Sequence, residues 1–347
     1  MYAVAGLRSE RWRLAGWLGA RPAAEVTREC WESCRGGGET PPLRKPPPPD
    51  PARLQTFSVN PAARRQRSGN RRCPTKRRRA ISLRPYNCRV NEAVRTVPVN
   101  RIPSGGNEDA VVVEEPLEIR VGDKPVSVTL RTPGADFDLA AGFLFTESIL
   151  RTRDEVESIR HWGSPNVVRV SLGAGARIDL QRLQRHFYST SSCGVCGKTS
   201  IDALRVNAAQ LDDDVRIPSS TLIALPDRLR AEQSAFEATG AIHGAAAFTG
   251  DGVLLRARED VGRHNAVDKV IGSLFLEGDG ADVLVVSGRT SFEIVQKCVV
   301  ARIPILVAVG APSSLAIELA QEFRLTLLGF VRDGRCNVYA GEHRLSP

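Results

Sequence analysis

The run Ser191-Ser192-Cys193-Gly194-Val195-Cys196-Gly197-Lys198 sets two thiols three positions apart, with glycines at 194 and 197 and a lysine directly after. A free thiol has a pKa of about 8.5, and a neighbouring cation or a helix N-terminus lowers it. Lys198 is such a cation, and the helical pattern opening at Ser200-Ile201-Asp202-Ala203-Leu204 supplies the N-terminus. A thiolate formed at Cys193 can attack a persulfide and carry its terminal sulfur, with Cys196 resolving the adduct or joining the relay. The spacing alone leaves two other chemistries open, half of a structural zinc site and a redox dithiol. Zinc asks for four ligands, and no second CxxC or Cys/His pair follows at finger spacing. Cys298 and Cys336 stand singly in apolar or strand-like surroundings and read as inert buried cysteines.

Four further constellations carry chemistry-bearing residues. Arg258 to Lys269 is densely charged, contains Gly262 and opens a helix. An anion suits such a helix start, with Arg263 and His264 adding charge and donors, whereas a capped helix with a solvated first turn is the plainer reading. Ser287-Gly288-Arg289-Thr290-Ser291 ends an apolar strand and precedes a helix, the edge at which open α/β sheets bind ligands. Its Ser287 and Arg289 suit a phosphate, and Lys297 beyond it reads equally well as surface. Gly329 to Arg335 follows the last long strand. Phe330 suits ring stacking and Arg332 and Arg335 suit phosphates, while a terminal hairpin explains the same residues without a ligand. His243 lies in an apolar strand as a core histidine, although Gly240 and Gly244 around it permit close approach of a ligand to the backbone.

The elements that must position these groups follow from hydrophobic periodicity. Order is expected to begin near Ala110, with a hairpin of Val111–Val121 and Val126–Leu130, a helix capped by Asp136, and a strand over Asn166–Leu172. A short helix over Asp179–Phe187 leads into the thiol loop, and Pro218 starts one long amphipathic helix reaching Glu237. From Ala241 onward short apolar strands alternate with helices through Phe330, which predicts an α/β layered domain with a partly parallel sheet.

Charge is distributed unevenly along the 347 residues. Residues 1–90 hold 20 Lys and Arg against 6 Asp and Glu, and 11 of the 22 prolines; the remainder is net −5. Such a segment buries too little apolar surface to offset its ordering entropy, so residues 1–92 are expected to be a disordered basic extension. A start codon assigned too far upstream, a solvated tail and a polyanion-binding arm each account for it. It lacks the apolar core of a signal peptide, and no stretch reaches the roughly 18 apolar residues of a membrane span. The cytoplasm is the expected compartment, and neither a membrane nor nucleic acid is an expected partner.

Residues 110–345 resemble the formate dehydrogenase accessory sulfurtransferases, the FdhD/NarQ family. The resemblance rests on Glu115-Pro116-Leu117, Ala141-Gly142-Phe143-Leu144, Cys193-Gly194-Val195-Cys196-Gly197, His243-Gly244-Ala245-Ala246, Arg258 to Asn265, Ser287-Gly288-Arg289, Gln296-Lys297 and Asn337-Val338-Tyr339, in that order. It implies a sulfur carrier that takes persulfide sulfur from a cysteine desulfurase and passes it to the molybdenum cofactor, in its bis(molybdopterin guanine dinucleotide) form, for formate dehydrogenase. Cys193 then carries the persulfide with Cys196 as its partner, and Phe330, Val331, Arg332, Asp333, Gly334 and Arg335 bind the cofactor. Ser287, Arg289, Arg263 and His264 join them less firmly, and no permanent metal is expected. The resemblance also implies a homodimer, a smaller α+β part over 110–190 and a cytidine-deaminase-like α/β domain over 191–345. A chaperone that only docks the cofactor is the competing reading. A zinc-dependent deaminase needs H-x-E and P-C-x-x-C, whereas Gly244 and Ala245 follow His243, and Ser192 precedes Cys193.

Overall fold

The computed structural model describes residues 93–103, 105–173, 176 and 208–347. The basic extension, the helix expected over Asp179–Phe187, Cys193, Cys196 and the helix expected from Ser200 lie outside the described residues.

Strand β1 (Val94–Arg101) pairs antiparallel with β2 (Gly105–Val112) in a two-stranded ribbon. Ordered structure therefore begins before Ala110. The ribbon's base, Ala93, Val94 and Val112, packs with Ala235, Phe236 and Ile242, which anchors an otherwise polar strand pair. A second sheet contains β3 (Glu115–Val121), β4 (Lys124–Arg131), β5 (Val156–Trp162) and β6 (Ser164–Leu172), in the order β4-β3-β6-β5. Gly122 turns the β3–β4 hairpin at φ +57°. Helix α1 (Asp136–Thr146) covers one face of this sheet, and Leu117, Ile119, Val168 and Val170 meet Leu139, Ala140 and Leu144 there. Asp136 does not cap α1 as expected. Ala135 holds the cap position at φ 53°, while the Asp136 carboxylate accepts two bonds from buried Arg131, at 2.9 and 2.8 Å. A guanidinium buried at that depth requires a paired anion.

The larger sheet follows. A short strand β7 (Ile217–Pro218) leads into helices α2 (Ser219–Ala231) and α3 (Ser234–Thr239), then β8 (His243–Phe248), β9 (Leu254–Asp260), α4 (Arg263–Glu277), β10 (Val283–Val286) and α5 (Phe292–Val300). The chain closes with β11 (Ile305–Ala308), α6 (Ser314–Glu322), β12 (Thr326–Arg332), β13 (Arg335–Ala340) and β14 (Leu345–Ser346), which pairs with β7. Strand order is β13-β12-β11-β10-β8-β9, with β10, β11 and β12 parallel and the outer pairs antiparallel. Side chains alternate between the faces. Ala245, Ala247, Leu284 and Val286 meet α4, α5 and α6, whereas Ala246, Phe248, Val283 and Val285 meet α2. A sheet buried on both faces explains the continuous apolar strands.

The expected single helix from Pro218 to Glu237 is two helices. The break falls at Glu232-Gln233, and the Glu259 carboxylate receives the Ala235 and Phe236 N–H groups at 2.9 Å, restarting the chain as α3. Helices α1 and α4 approach through Gly142 and Gly272, where a β-carbon on either would overlap the carbonyl oxygen of Asp268 or Asp138. This close crossing holds the four-stranded layer against the six-stranded one. Among the described residues, no helix is long and apolar enough to cross a membrane.

Candidate functional site

The cavity-lining edge of the larger sheet is built from three segments at the ends of its parallel strands. After β10, Ser287 donates its backbone N–H to the Gly244 carbonyl (3.0 Å), and its Oγ accepts the Gly244 N–H (2.9 Å). After β11, the Gly310 N–H donates to the Gly288 carbonyl at 3.1 Å, and a β-carbon at 310 would stand 2.7 Å from that oxygen. On β12, the Phe330 N–H donates to the Gly310 carbonyl at 3.1 Å. The ladder thus continues past the strand ends, and glycines at 288 and 310 let the loops lie side by side. At the end of this series β12 bulges between Gly329 and Arg332. Phe330 sits at φ 54° and Asp333 at φ 53°, a conformation that costs a non-glycine residue free energy and gathers at functional loops.

These loops form one wall of a cavity of about 810 Å³. Val331, Arg332, Asp333 and Gly334 line it from the β12–β13 turn, and Ser287, Val309 and His243 from the sheet edge. The opposite wall is α2 and α3, presenting Asp227, Arg230, Gln233 and Phe236. The Arg230 guanidinium lies 4.0 Å from the centre of the Phe236 ring.

The residues predicted from sequence divide into groups. Ser287, Val331, Arg332, Asp333 and Gly334 converge on the cavity. Phe330 and Arg335 are not among its lining residues. The bulge turns Val331 inward and leaves Phe330 38% exposed, with the Arg332 guanidinium 6.0 Å from its ring. Arg335 is exposed on β13, 4.0 Å from Asp333. Residues 329–335 are therefore a terminal hairpin of which residues 331–334 form part of the cavity wall. Arg263, His264 and Arg289 lie outside the lining but close enough to His243 for their charges to act on it. His264 Nε2 stands 3.1 Å from Ser291 Oγ and 2.9 Å from Glu293 Oε2, which ties the starts of α4 and α5 together. Burial alone would raise the Glu293 carboxyl, but His264, Ser291 and Lys297 hold it below the usual carboxylate range.

His243 is half-buried at the start of β8 and faces the cavity, which corrects its reading as a core residue. Burial lowers its pKa, and Arg263, His264 and Arg289 push the same way against Asp260. The ring is therefore neutral at neutral pH and offers one donor and one acceptor.

Most of the charged run from Arg258 to Lys269 is framework. The Arg258 guanidinium donates to Asp138 Oδ2 at 2.8 and 3.1 Å, and Glu259 caps α3. Asp260, fully buried, takes the Lys269 ammonium at 2.7 Å and the Thr132 and Gly262 N–H groups at 3.1 and 2.8 Å. Lys297 is not a surface residue. It is buried with its ammonium 2.9 Å from both Asp268 oxygens and from Thr146 Oγ1. Burial presses this ammonium towards neutrality, yet Asp268 and Glu147 more than reverse the effect and hold its pKa above the ordinary lysine value. Cys298 is buried in the α4–α5–α6 core, and burial pushes its thiol far above the usual range.

The sequence reading missed Asp227, Arg230, Gln233 and Phe236. Their signal is a stripe spaced by three residues, which resembles a solvated helix face until the break before α3 turns it towards the cavity.

A family model described as the FdhD/NarQ family matches residues 112–346. The "Sulfur carrier protein FdhD" of Streptomyces avermitilis is 48% identical over 272 residues, covering 74% of this chain and 96% of that protein. The protein of the same name from Mycolicibacterium paratuberculosis is 49% identical over 250 residues, covering 68% of this chain and 92% of its own length. A crystal structure of a candidate formate dehydrogenase accessory protein from Desulfotalea psychrophila superimposes with a TM-score of 0.58 at 25% identity, covering 73% of this chain and 98% of that one. With its motifs in order, its architecture matched and most of each relative's length accounted for, the chain belongs to the FdhD/NarQ family.

Proposed function

We propose that this protein is a sulfurtransferase that carries persulfide sulfur from a cysteine desulfurase to a molybdenum bis(molybdopterin guanine dinucleotide) substrate, which then enters formate dehydrogenase. The observation that carries the reading is the convergence of Ser287 with Val331, Arg332, Asp333 and Gly334 on one cavity of about 810 Å³, beside a neutral His243. Cavities of roughly 300–1,000 Å³ suit small-molecule and cofactor-sized ligands. Arg332 supplies a fork of donors for phosphate oxygens. The turn's Asp333 and Gly334, both at positive φ, bring backbone close to a ligand. The sulfur-carrier names of the relatives support the chemistry assigned to the thiols.

In this mechanism the Cys193 thiolate attacks the outer sulfur of the donor's persulfide. The donor S–S bond breaks, its cysteine leaves as a thiolate, and a Cys193 persulfide forms. The Cys196 thiolate then attacks the Cys193 sulfur of that persulfide: a Cys193–Cys196 disulfide forms, the S–S bond to the outer sulfur breaks, and that sulfur leaves as HS⁻ to the molybdenum substrate, after which a thiol reductant reopens the disulfide. The family reading makes the protein a cytoplasmic homodimer whose six-stranded sheet, with helices on both faces, is a cytidine-deaminase-like layer arrangement.

Incubating the full chain with a cysteine desulfurase and cysteine, followed by mass spectrometry of the peptide holding Cys193 and Cys196, tests the carrier role. A gain of one sulfur atom, absent in Cys193→Ala, is expected. No gain on the wild-type peptide would reduce the protein to a docking chaperone.

A further inference from the structure

The four-stranded sheet has one face covered by α1, where Leu117, Ile119, Val168 and Val170 point. The alternate positions point the other way, and residues directly opposite each other share a face. On this outer face Pro116 stands opposite Leu130, and Glu118 stands opposite both Val128 and Val167. In the next row Arg120 stands opposite Arg169, and Arg169 opposite Arg160. Leu130 is 56% exposed, Val128 54% and Trp162 44%.

Three arginines in one row of a sheet repel one another, and like charges directly opposite destabilise a strand pair. The chain offsets this only in part. Glu118 pairs with Arg120, and Asp123, its side chain 86% exposed, reaches Arg169 at 3.1 Å. Arg160 and Arg169 lie 5.0 and 4.3 Å from the centre of the Trp162 ring. Arg169 Nε is buried with no hydrogen-bond partner among the described residues. The face therefore keeps a surplus of cationic donors beside open aliphatic side chains, and an exposed apolar patch rimmed by polar groups marks an interaction surface.

The sign of the charge selects the occupant. Residues 1–90 hold 20 Lys and Arg against 6 Asp and Glu, and residues 174–207 hold five against two, so neither segment of this chain is complementary. A second copy on a two-fold axis would set the same net positive face against itself. A polynucleotide would gain nothing from Val128 and Leu130, and its phosphates would meet Glu118 and Asp123 among the arginines. An acidic protein segment satisfies both rows. In an extended segment, side chains two residues apart lie roughly 6.6 Å from each other, which is also the step between successive rows of this face. Those rows read apolar at Leu130, apolar at Val128 and Val167, then cationic at Arg120, Arg169 and Arg160.

We propose that the outer face of the four-stranded sheet docks an extended acidic segment of a partner protein, two apolar side chains and a carboxylate following one another at two-residue steps. The assignment is independent of what the cavity binds.

The test is fluorescence anisotropy of the full chain with two fluorescein-labelled peptides, Leu-Ser-Leu-Ser-Glu-Ser-Glu and its reversed sequence. One of them is expected to bind, less tightly as salt rises, and roughly 10-fold less tightly when Gln replaces Glu, the effect of a lost charge-assisted bond. The Gln comparison needs no variant of the protein. Arg160→Glu and Leu130→Ser, both at exposed positions, should each weaken binding roughly 10-fold with unchanged urea midpoints. Binding no tighter than that of the Gln peptides, or equal binding by wild type and both variants, would overturn the proposal. A labelled oligothymidine that binds wild type and is lost in Arg160→Glu would make the face a nucleic-acid surface instead. A Leu130→Ser chain that sediments as a monomer where wild type is a dimer would assign the face to a second copy.

Discussion

Replacing Lys297 by methionine separates framework from site in a stretch where sequence alone left both open. The Lys297 ammonium lies 2.9 Å from both oxygens of Asp268 and 2.9 Å from Thr146 Oγ1. Asp268 is only 3% exposed, and in the variant it retains just the Thr146 hydroxyl, also at 2.9 Å. Removing one partner of a buried pair costs about 3–5 kcal/mol, because the surviving charge is left without compensation. Lys297→Met is therefore expected to lose that much stability in urea unfolding of the full chain. Lys297→Met with Asp268→Asn removes the orphaned charge and should leave a deficit of about 1–2 kcal/mol, the cost of a poorly satisfied polar group. The pH dependence has a definite sign. Burial already raises the Asp268 carboxyl above its ordinary value against the pull of Lys297 and Thr146, and removing Lys297 raises it further. The folded variant then binds a proton that the unfolded chain does not, so its deficit relative to wild type narrows as pH falls from about 8 to about 5. Sulfur loading of Cys193, measured per folded molecule, should be unchanged. A loss below about 1 kcal/mol, or equal losses in the single and double variants, would refute the buried-pair account.

Three further outcomes are expected from the same packing. Gly272→Ala should lower the melting temperature, because its β-carbon overlaps the Asp138 carbonyl and overpacking of this kind costs about 1–3 kcal/mol; an unchanged melting curve would mean that α1 and α4 are not locked at this crossing. Cys298, fully buried with a raised thiol pKa, should resist maleimide in the native chain and react only in denaturant, and native labelling would contradict its place in the core. His243 has a folded pKa below its ordinary 6.5. The unfolded chain therefore takes up the proton first, and stability falls as pH drops below about 6.5. His243→Gln should flatten that part of the acid slope of the urea midpoint, and parallel slopes would show that the ring titrates alike in both states.

Periodicity made the C-terminal half of the fold legible, because Ile305–Ala308, Ser314–Glu322 and Phe292–Val300 are apolar at their structural period and each begins directly after a Pro or Ser. It failed at β2, whose Gly105-Gly106-Asn107-Glu108-Asp109 has no strand signature and is held by pairing to β1 and by the apolar contacts at the ribbon's base. The loops that wall the cavity from the sheet side were legible because glycines and arginines after apolar strands have few uses in a core. The cavity's α2–α3 wall was not, because Asp227 and Arg230 on a helix face look like ordinary solvated charges. The tertiary contact of Glu259 with the α3 N–H groups, together with the packing of α2 on Ala246, Phe248 and Val285, sets that face against the sheet.

The Arg258–Lys269 run shows why charge density is a poor guide to chemistry. Asp260 and Lys269 are buried against each other, and Asp268 is buried against Lys297. Arg258 reaches Asp138 and Asn265 donates to the Leu130 carbonyl, so both bind the four-stranded layer to the larger one. Each of these groups would be costly to bury alone, so the pairs stand or fall together and their identities are fixed by one another. Within this run Asp260, Arg263 and His264 are within electrostatic reach of His243. A run that reads as one ligand-binding motif is thus mainly a joint between two sheets, and the joint places β8 and the start of α4 where His243 can face the cavity.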